Sequence, residues 1–187
     1  LLFPIDVSSR FKYAVPKTNI NLGVDLLDRT NLYTLSSVNT SFGYVWEGNS
    51  YVTHKITPLN LEYLNLQNTS TEFEEILDNN PFLRRSFEQQ FIAGLTYSFT
   101  YNDIANPLKD AGIFLNFNLE TAGNGIDLLA NNQEQPQTFL NLAYAQFVKA
   151  DIDFRKHFAW NETANKLITR FFFGVGLPYG NSTSLPF

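Results

Sequence analysis

Apolar and polar side chains alternate most regularly in residues 91–102, FIAGLTYSFTYN. The odd positions are apolar or aromatic, whereas the even positions are small or polar, with Ile92 as the exception. Because alternate residues of a β-strand point to opposite faces, this period of two predicts a two-faced strand. The length of the stretch suits a strand that crosses a bilayer at a tilt.

The same alternation recurs along the chain, and polar turn residues separate the alternating stretches. Strands joined in this way pair antiparallel with their neighbours, so the sequence predicts an all-β antiparallel meander of long transmembrane strands. Residues 5–15, between two prolines, are expected to be a further strand or a luminal segment. The seven predicted strands are 19–27, 32–46, 51–66, 90–102, 111–120, 139–157 and 166–177.

The two faces of the predicted strands differ in chemistry. One face is apolar and aromatic, and we expect it to meet lipid; its candidates are Phe91, Leu95, Tyr97, Phe99, Leu115, Phe117, Leu142, Tyr144, Phe171 and Phe173. The opposite face is polar and suits a wet lumen; its candidates are Asn116, Asn118, Glu120, Lys149, Asp151, Asp153, Arg155, His157 and Arg170. Alternation places His54 on this polar face as well. Gly174 and Gly176 leave the polar face bare, so another segment is expected to pack there.

The connections between the predicted strands differ in length. Residues 28–31, 47–50 and 161–165 form tight turns, and 102–110 form a somewhat longer link. Two connections are long: 67–89, where Thr71 is a candidate helix cap and Pro81 a candidate helix start, and 121–137. Short turns on one rim and long loops on the other are typical of outer-membrane barrels, so 67–89 is expected to be an extracellular loop with helices.

Soluble β-sandwiches and lipocalin-type barrels also use alternating strands, but their apolar face points inward. Three features favour the membrane barrel instead: the strands are long, aromatic residues cluster toward strand ends, and ionisable groups follow one another on the opposite face. Seven strands do not close into a barrel comfortably, since the open edges would leave backbone amides unpaired in lipid. We therefore expect the chain to be a central piece of a larger barrel.

Composition narrows the function classes. The chain of 187 residues has no Cys, which excludes a disulfide framework and a thiolate metal or redox site. Its formal charge of −5 argues against a nucleic-acid partner, which requires a clustered basic face. Aromatic residues reach 16% of the chain, and no apolar stretch is long enough for a transmembrane helix.

No convincing catalytic, cofactor or metal site is found in the sequence. Two histidines and scattered carboxylates are too few and too distant for a metal site. Ser98 with His157 and an aspartate could form a hydrolase triad, but no local nucleophile motif supports it. Asp151 and Asp153 have a spacing that also occurs in glycosidases, yet Lys149 and Arg155 beside them favour a luminal charge lattice. We expect the protein not to be an enzyme and to need no cofactor.

The stretch FFFGVGLPYGNSTSLPF resembles the strand and segment that lead into the long inward-folded loop of the BamA/TamA outer-membrane assembly superfamily, particularly its Bacteroidetes-type members. VPKTNINLGVDLLDRTNLYTLSSVNTSFGYVW, KITPLNLEYLNL and NNPFLRRSFEQQFIAGLTYSFTYND resemble the same family. The resemblance implies a barrel of about sixteen strands with periplasmic POTRA domains, of which this chain would supply central wall strands. It also implies that Gly174 and Gly176 face the returning loop.

The resemblance implies a bacterial outer-membrane protein that folds and inserts other proteins into that membrane. The implied partners are outer-membrane lipid, nascent outer-membrane proteins and accessory assembly lipoproteins or surface proteins. The sequence LPYGNSTSLPF resembles the TamA-like translocation branch, often a lipoprotein in Bacteroidetes, more than the BamA-like insertase. The alternatives are a passive porin, a TonB-dependent nutrient transporter, and a barrel enzyme such as a phospholipase, which would need a Ser/His pair on its lipid face.

Overall fold

The computed structural model describes residues 15–87, 90–104, 106, 111–127, 137–139, 142–159 and 166–185. Within these residues the chain forms nine strands and three short helices. The strands are β1 (Lys17–Arg29), β2 (Tyr33–Asn49), β3 (Val52–Gln67), β4 (Gln90–Asn102), β5 (Ile113–Ala122), β6 (Thr138–Phe139), β7 (Leu142–Ala143), β8 (Phe147–Ala159) and β9 (Lys166–Pro178). The helices are α1 (Thr71–Asn79), α2 (Pro81–Phe87) and α3 (Asn124–Asp127).

None of the helices in this part of the chain has the length and apolarity needed to span a membrane. The predicted segment 5–15 lies outside the described residues, apart from its last residue.

Seven of the strands form one antiparallel sheet in the order β1-β2-β3-β4-β5-β8-β9. Each strand pairs with its neighbour along the chain, apart from the detour through β6 and β7, which pair only with each other. The prediction of an all-β antiparallel meander is therefore confirmed. In the described residues the sheet is open, with β1 and β9 as its edges.

The register across the sheet aligns the alternating pattern of one strand with that of the next. Phe117 of β5 lies opposite Phe99 of β4 and opposite Ile152 of β8. One residue earlier, Asn116 lies opposite Thr100 and Asp153. Directly opposed residues share a face, so the sheet has one mainly apolar face and one mainly polar face. We use the names apolar face and polar face for these two sides. Leu27, Ile168 and Phe172 on the edge strands are apolar residues of the polar face.

A bulge in β3 shifts the alternation. The pairing of β3 with β4 passes from Thr57↔Thr96 to Asn60↔Gly94, so β3 has one residue more than its partner between these pairs. Pro58 lies in this step, and a bulge is one of the few places in a sheet where proline, which has no N–H to donate, is found. As a result His54 lies opposite Phe99, on the apolar face. The prediction that His54 faces the polar side is wrong, because simple alternation ignored the extra residue.

The predicted continuous strand 139–157 is also wrong. β5 ends at Ala122, and the chain leaves the sheet before β8 begins at Phe147. Between them Tyr144 forms a parallel bridge with Phe91, whose carbonyl accepts the Ala145 N–H at 3.0 Å. Tyr144 is only 2% exposed, so its prediction as a lipid-facing residue is wrong.

Leu142, predicted to face lipid on the same strand, belongs instead to the separate two-residue strand β7. The structure describes its backbone but not its side chain.

The helices lie at one end of the sheet, called here the helix rim. The side-chain oxygen of Ser70, rather than that of Thr71, caps α1 by accepting the Phe73 N–H at 3.2 Å, and α2 begins at Pro81 as predicted. Phe73 and Leu77 pack against Tyr33 in a small buried cluster. Leu35 and Leu66 pack against the same cluster, and they lie opposite each other on the polar face. The helices α1 and α2 therefore cover the polar side of the sheet.

The opposite end of the sheet is called here the turn rim, and it includes the tight Ser50–Tyr51 turn. The turn at Ser50–Tyr51 fits the predicted division into a short-turn rim and a long-loop rim, but the turn between β1 and β2 does not. The predicted turn 161–165 lies outside the described residues. The tight turn between β1 and β2 lies at the helix rim, where the Leu32 carbonyl accepts the Ser70 N–H at 2.8 Å. At the turn rim the carboxylate of buried Asp103 accepts the Ile113 N–H at 2.5 Å and the Tyr101 hydroxyl at 3.0 Å.

Candidate functional site: a two-faced sheet and a folded-back segment

Large apolar side chains remain exposed along one face of the whole sheet. Leu22 on β1 is 77% exposed, and Phe171 on β9 is 61% exposed. The register places these side chains on the same face as the predicted lipid-facing residues Leu95, Tyr97, Phe99, Leu115, Phe117 and Phe173. Other exposed members of this face are Ile20, Val24, Leu26, Val38, Leu59, Val175 and Leu177. A band of this kind requires an apolar covering that the described chain does not supply.

Aromatic side chains gather on the apolar face near the turn rim. The rings of Trp46 and His54 stack with 5.1 Å between their centroids, and Phe99 meets His54 edge-on at 5.4 Å. The Nδ1 atom of His54 is hydrogen-bonded to the Tyr97 hydroxyl at 2.9 Å. Trp and Tyr, whose rings carry one polar atom each, are the side chains favoured at the boundary between lipid and water.

The polar face is held together by side-chain hydrogen bonds between neighbouring strands. Asn116 donates from its side-chain amide to Thr100 Oγ1 at 2.9 Å. Asn118 donates to Asn116 Oδ1 at 2.7 Å and to Asp151 Oδ1 at 2.8 Å. Three of the predicted polar residues, Asn116, Asn118 and Asp151, are thus brought into one network. Glu120 lies opposite Lys149 in the same register.

Asp153 is the centre of a second group on the polar face. Arg155 donates to its two carboxylate oxygens at 3.1 and 2.6 Å, and Arg170 does so from β9 at 3.1 and 2.9 Å. Because Asp151 is engaged by Asn118 and Asp153 by two guanidinium groups, the arrangement is a charge lattice rather than a pair of catalytic carboxylates.

His157 lies on β8 opposite Ile168, on the polar face as predicted. Neither histidine in the described chain belongs to a group of three His, Cys, Asp or Glu residues able to hold a metal ion.

After β9 the chain folds back over the helix rim, and we call residues Tyr179–Leu185 the fold-back segment. Gln146 is its main partner: its carbonyl accepts the Tyr179 N–H at 3.1 Å, and its N–H donates to Ser182 Oγ at 2.8 Å. Its side-chain oxygen accepts the Asn181 N–H at 2.6 Å. Gly180 has φ of +56°, a left-handed conformation that glycine adopts without a steric penalty.

Asn181 fixes the fold-back segment to the chain that precedes β8. Its side-chain amide donates to the carbonyls of Gln137 and Tyr144 at 2.8 and 2.9 Å. Its side-chain oxygen accepts the Gln137 N–H at 2.7 Å. One asparagine therefore bonds to three backbone groups at this rim, and such bonds are what buried polar groups require.

Tyr144 extends this network toward α3. Its hydroxyl proton is shared between two acceptors, Asp127 Oδ1 at 3.1 Å and the side-chain oxygen of Gln137. Burial, together with the bond to the Asp127 carboxylate, raises the pKa of the Tyr144 phenol above its ordinary value. The phenol therefore stays neutral and remains a hydrogen-bond donor at physiological pH.

Beneath the fold-back segment lies a small apolar cluster on the polar side of the sheet. Phe147 and Ala122 are each 1% exposed, and Leu185 of the fold-back segment packs against them together with Ile92. This contact explains the one apolar residue that interrupts the polar positions of 91–102. A Cβ atom on Gly176 would lie 2.5 Å from Leu185 Cδ1, so the fold-back segment closely approaches this glycine.

A Cβ atom on Gly174 would meet its nearest neighbour, Asp151 Cβ, at an ordinary 3.5 Å. Gly174 therefore lacks the close approach that was expected for both glycines. The network of Asn181, Gln146 and Gln137 was not predicted at all. Its partners are 35 to 44 positions apart, and the only local signal was the turn chemistry of Pro178 and Gly180.

Comparison of the chain with protein-family models, with curated proteins and with solved structures found no match.

Proposed function

We propose that the sheet is part of the wall of a transmembrane β-barrel in the bacterial outer membrane. The observation that carries this proposal is the inverted placement of side chains: most of the exposed large apolar groups of the sheet lie on one face, while α1, α2 and Leu185 cover the polar face. Lipid would cover the apolar face and water would fill the polar side, which is the arrangement of an outer-membrane barrel.

The strand lengths support this proposal. β4, β8 and β9 each have 13 residues. At roughly 3.3 Å per residue such a strand extends about 43 Å, so at a tilt of about 45° it spans about 30 Å of bilayer. The aromatic group around His54 would then lie at one membrane boundary, with the helix rim at the other.

The two edges indicate how the sheet would be completed. The backbone groups along β1 and β9 that have no partner in the described chain would each cost several kcal/mol in lipid, on the order of a lost hydrogen bond in an apolar medium. In the proposed barrel, additional strands pair with both edges and close the wall.

The proposed role of the barrel is the assembly of other outer-membrane proteins, as a member of the BamA/TamA superfamily and with the TamA-like branch preferred. This part of the proposal rests on the resemblance of residues 171–187 and of the three earlier stretches. The fold-back segment supports it, because a chain that turns over the polar face directly after β9 is what an inward-folded loop requires. The strands described here would form part of the barrel wall. They would not themselves pair with the strands of the protein being assembled.

An assembly assay tests this function. The full-length protein is reconstituted in lipid vesicles, an unfolded outer-membrane protein is added, and its folding is followed by protease protection and by heat-modifiable gel mobility. We expect folding to be faster than in empty vesicles. Unchanged folding together with sugar-driven swelling of the vesicles would replace the proposal with a porin or nutrient transporter.

A further inference from the structure

A groove opens in the apolar face close to the helix rim, with a volume of about 520 Å³. Its floor is formed by neighbouring residues of β3 and β4, where Leu61 lies opposite Ala93. α3 forms one wall, and the end is closed by the ring of Phe139 stacked on Phe91 with 6.0 Å between centroids. The lining residues are Pro58, Leu59, Leu61, Phe91, Ala93, Gly94, Leu95, Thr121, Asn124, Gly125, Ile126 and Phe139.

Two features of the sequence create the groove. The bulge around Pro58 displaces β3 locally. Gly94 lets β5 approach closely, since a Cβ atom there would lie 2.8 Å from the Thr121 carbonyl oxygen. The volume falls within the range of about 300 to 1,000 Å³ that is usual for ligand pockets.

We propose that this groove binds one acyl chain of a bilayer lipid. The inference rests on the proposed function, because the groove opens onto the face that would meet the bilayer. Leu59 and Leu95, which are 47% and 37% exposed, belong both to the groove and to that face. A lipid could therefore insert one chain into the groove while its remaining atoms stay in the surrounding membrane.

The chemistry of the lining selects an acyl chain over a peptide. None of the lining side chains carries a charge, and Thr121 and Asn124 are the polar ones. The side-chain oxygen of Asn124 already accepts a hydrogen bond from the Tyr179 hydroxyl. A peptide segment would bring backbone N–H and C=O groups that need partners, whereas an acyl chain has none.

The experiment uses the full-length protein in nanodiscs that contain a phospholipid with a photoreactive diazirine on its acyl chain. One sample is irradiated in the nanodisc, and another is irradiated after exchange into lipid-free detergent. Crosslinked positions are mapped by mass spectrometry. In the nanodisc, we expect crosslinks at Phe117 and Phe173 as well as at Leu61 and Phe139. After exchange, we expect those at Leu61 and Phe139 to persist and those at Phe117 and Phe173 to disappear.

Two substitutions fill the groove in different ways. Ala93→Phe enlarges a floor residue, and Gly125→Leu adds a side chain where a Cβ atom meets nothing within 4 Å. Each should abolish the persistent crosslinks. The matched control is Ala150→Phe, which makes the same change on the apolar face outside the groove, opposite Leu119. Heat-modifiable mobility identifies folded variants, so Gly125→Leu decides the matter if Ala93→Phe does not fold.

The outcomes separate this inference from the proposed function. Crosslinks at Phe117 and Phe173 in the nanodisc without persistent ones in the groove would overturn only the lipid site. Persistent crosslinks that survive both groove-filling variants would do the same. The absence of lipid crosslinks at all four positions would overturn the membrane-facing assignment itself.

Discussion

The two faces of the sheet reverse the usual arrangement of a soluble protein. On the apolar face Leu22 and Phe171 leave well over half of their surface uncovered, whereas on the polar face Phe147 is almost fully buried. Even Asp153, a charged residue, is only 7% exposed on the polar side. The helices α1 and α2 and the fold-back segment cover the polar face, whereas α3 and Phe139 border the apolar face at the groove near the helix rim. The more informative observation is which face is covered by other segments of the chain. The apolarity of each face alone says less about the surroundings of the sheet.

The difference has an energetic consequence. Burying one large apolar side chain contributes about 1.5 to 3 kcal/mol, so a face that leaves many of them uncovered forgoes much of the stabilisation available to a soluble domain. In a lipid bilayer the same side chains would be surrounded by an apolar medium, so they would not need to be covered by other parts of the protein. The polar face gains instead from charge-assisted hydrogen bonds such as those between Asp153 and Arg170.

The strongest test of this comparison places one charge on each face at adjacent positions. Phe117→Arg should lower the free energy of unfolding in phospholipid vesicles by about 2 to 4 kcal/mol, since the guanidinium would have to enter lipid. Asn116→Arg should cost about 1 kcal/mol, which reflects its lost hydrogen bonds to Thr100 and Ser98. Denaturant titration of the full-length protein, followed by tryptophan fluorescence, measures both. Equal losses at the two positions would mean that the faces are assigned incorrectly.

The next test concerns the anchor of the fold-back segment. Asn181→Ala removes the side chain that bonds to Gln137 and to Tyr144, and it should destabilise the segment locally by about 2 to 3 kcal/mol. Hydrogen exchange of the Ser182 amide measures the loss. Asn21→Ala is the control, because the side chain of this exposed asparagine bonds from β1 to Ser41 of β2, away from the fold-back segment. Unchanged exchange in the Asn181 variant would show that the network does not hold the segment.

A smaller effect is expected at the turn within the segment. Gly180→Ala forces a non-glycine residue into the left-handed region and sets its Cβ atom against the side-chain oxygen of Gln146. We expect a loss of about 1 to 2 kcal/mol in local stability. Gly174→Ala, whose Cβ atom has ordinary contacts, should change stability far less. Thermal unfolding and amide exchange compare the two variants, and equal effects would remove the special role of Gly180.

The smallest effect tests the position of His54. Tyr97→Phe removes the hydroxyl bonded to His54 Nδ1 and should cost about 0.5 to 1.5 kcal/mol in unfolding free energy. Combining it with His54→Phe should add nothing further for that bond, because the partner is then already absent. Fully additive losses in this double-mutant cycle would contradict the contact and, with it, the shifted alternation of β3.

Local alternation was sufficient to predict most of the sheet. The period of two in 91–102 follows from the backbone geometry of a strand, and the register repeats it in β5, β8 and β9. The same reasoning failed at β3 because a bulge changes which face a residue occupies without changing the composition of the strand. Pro58 was the available signal, since proline inside a strand marks a bulge or an edge.

The rest depended on contacts between distant parts of the chain. Tyr144 continues the apolar positions of β8, yet it is buried because the chain bridges to Phe91 instead of extending the strand. The hydrogen bonds of Asn181 and Gln146 join residues far apart in sequence. Asparagine and glutamine also occur commonly in exposed turns. Only the folded arrangement distinguishes an anchoring amide from an exposed one.

The most direct test of the central claim is a scan of nitroxide labels along β5 in the full-length protein in bilayers. Single labels at positions 115 to 119 are compared for their collision with oxygen, which concentrates in lipid, and with a water-soluble nickel complex. We predict that labels at Leu115, Phe117 and Leu119 are accessible to oxygen, with the opposite behaviour at Asn116 and Asn118. A phase shift by one residue, or equal access to the nickel complex at every position, would contradict the account.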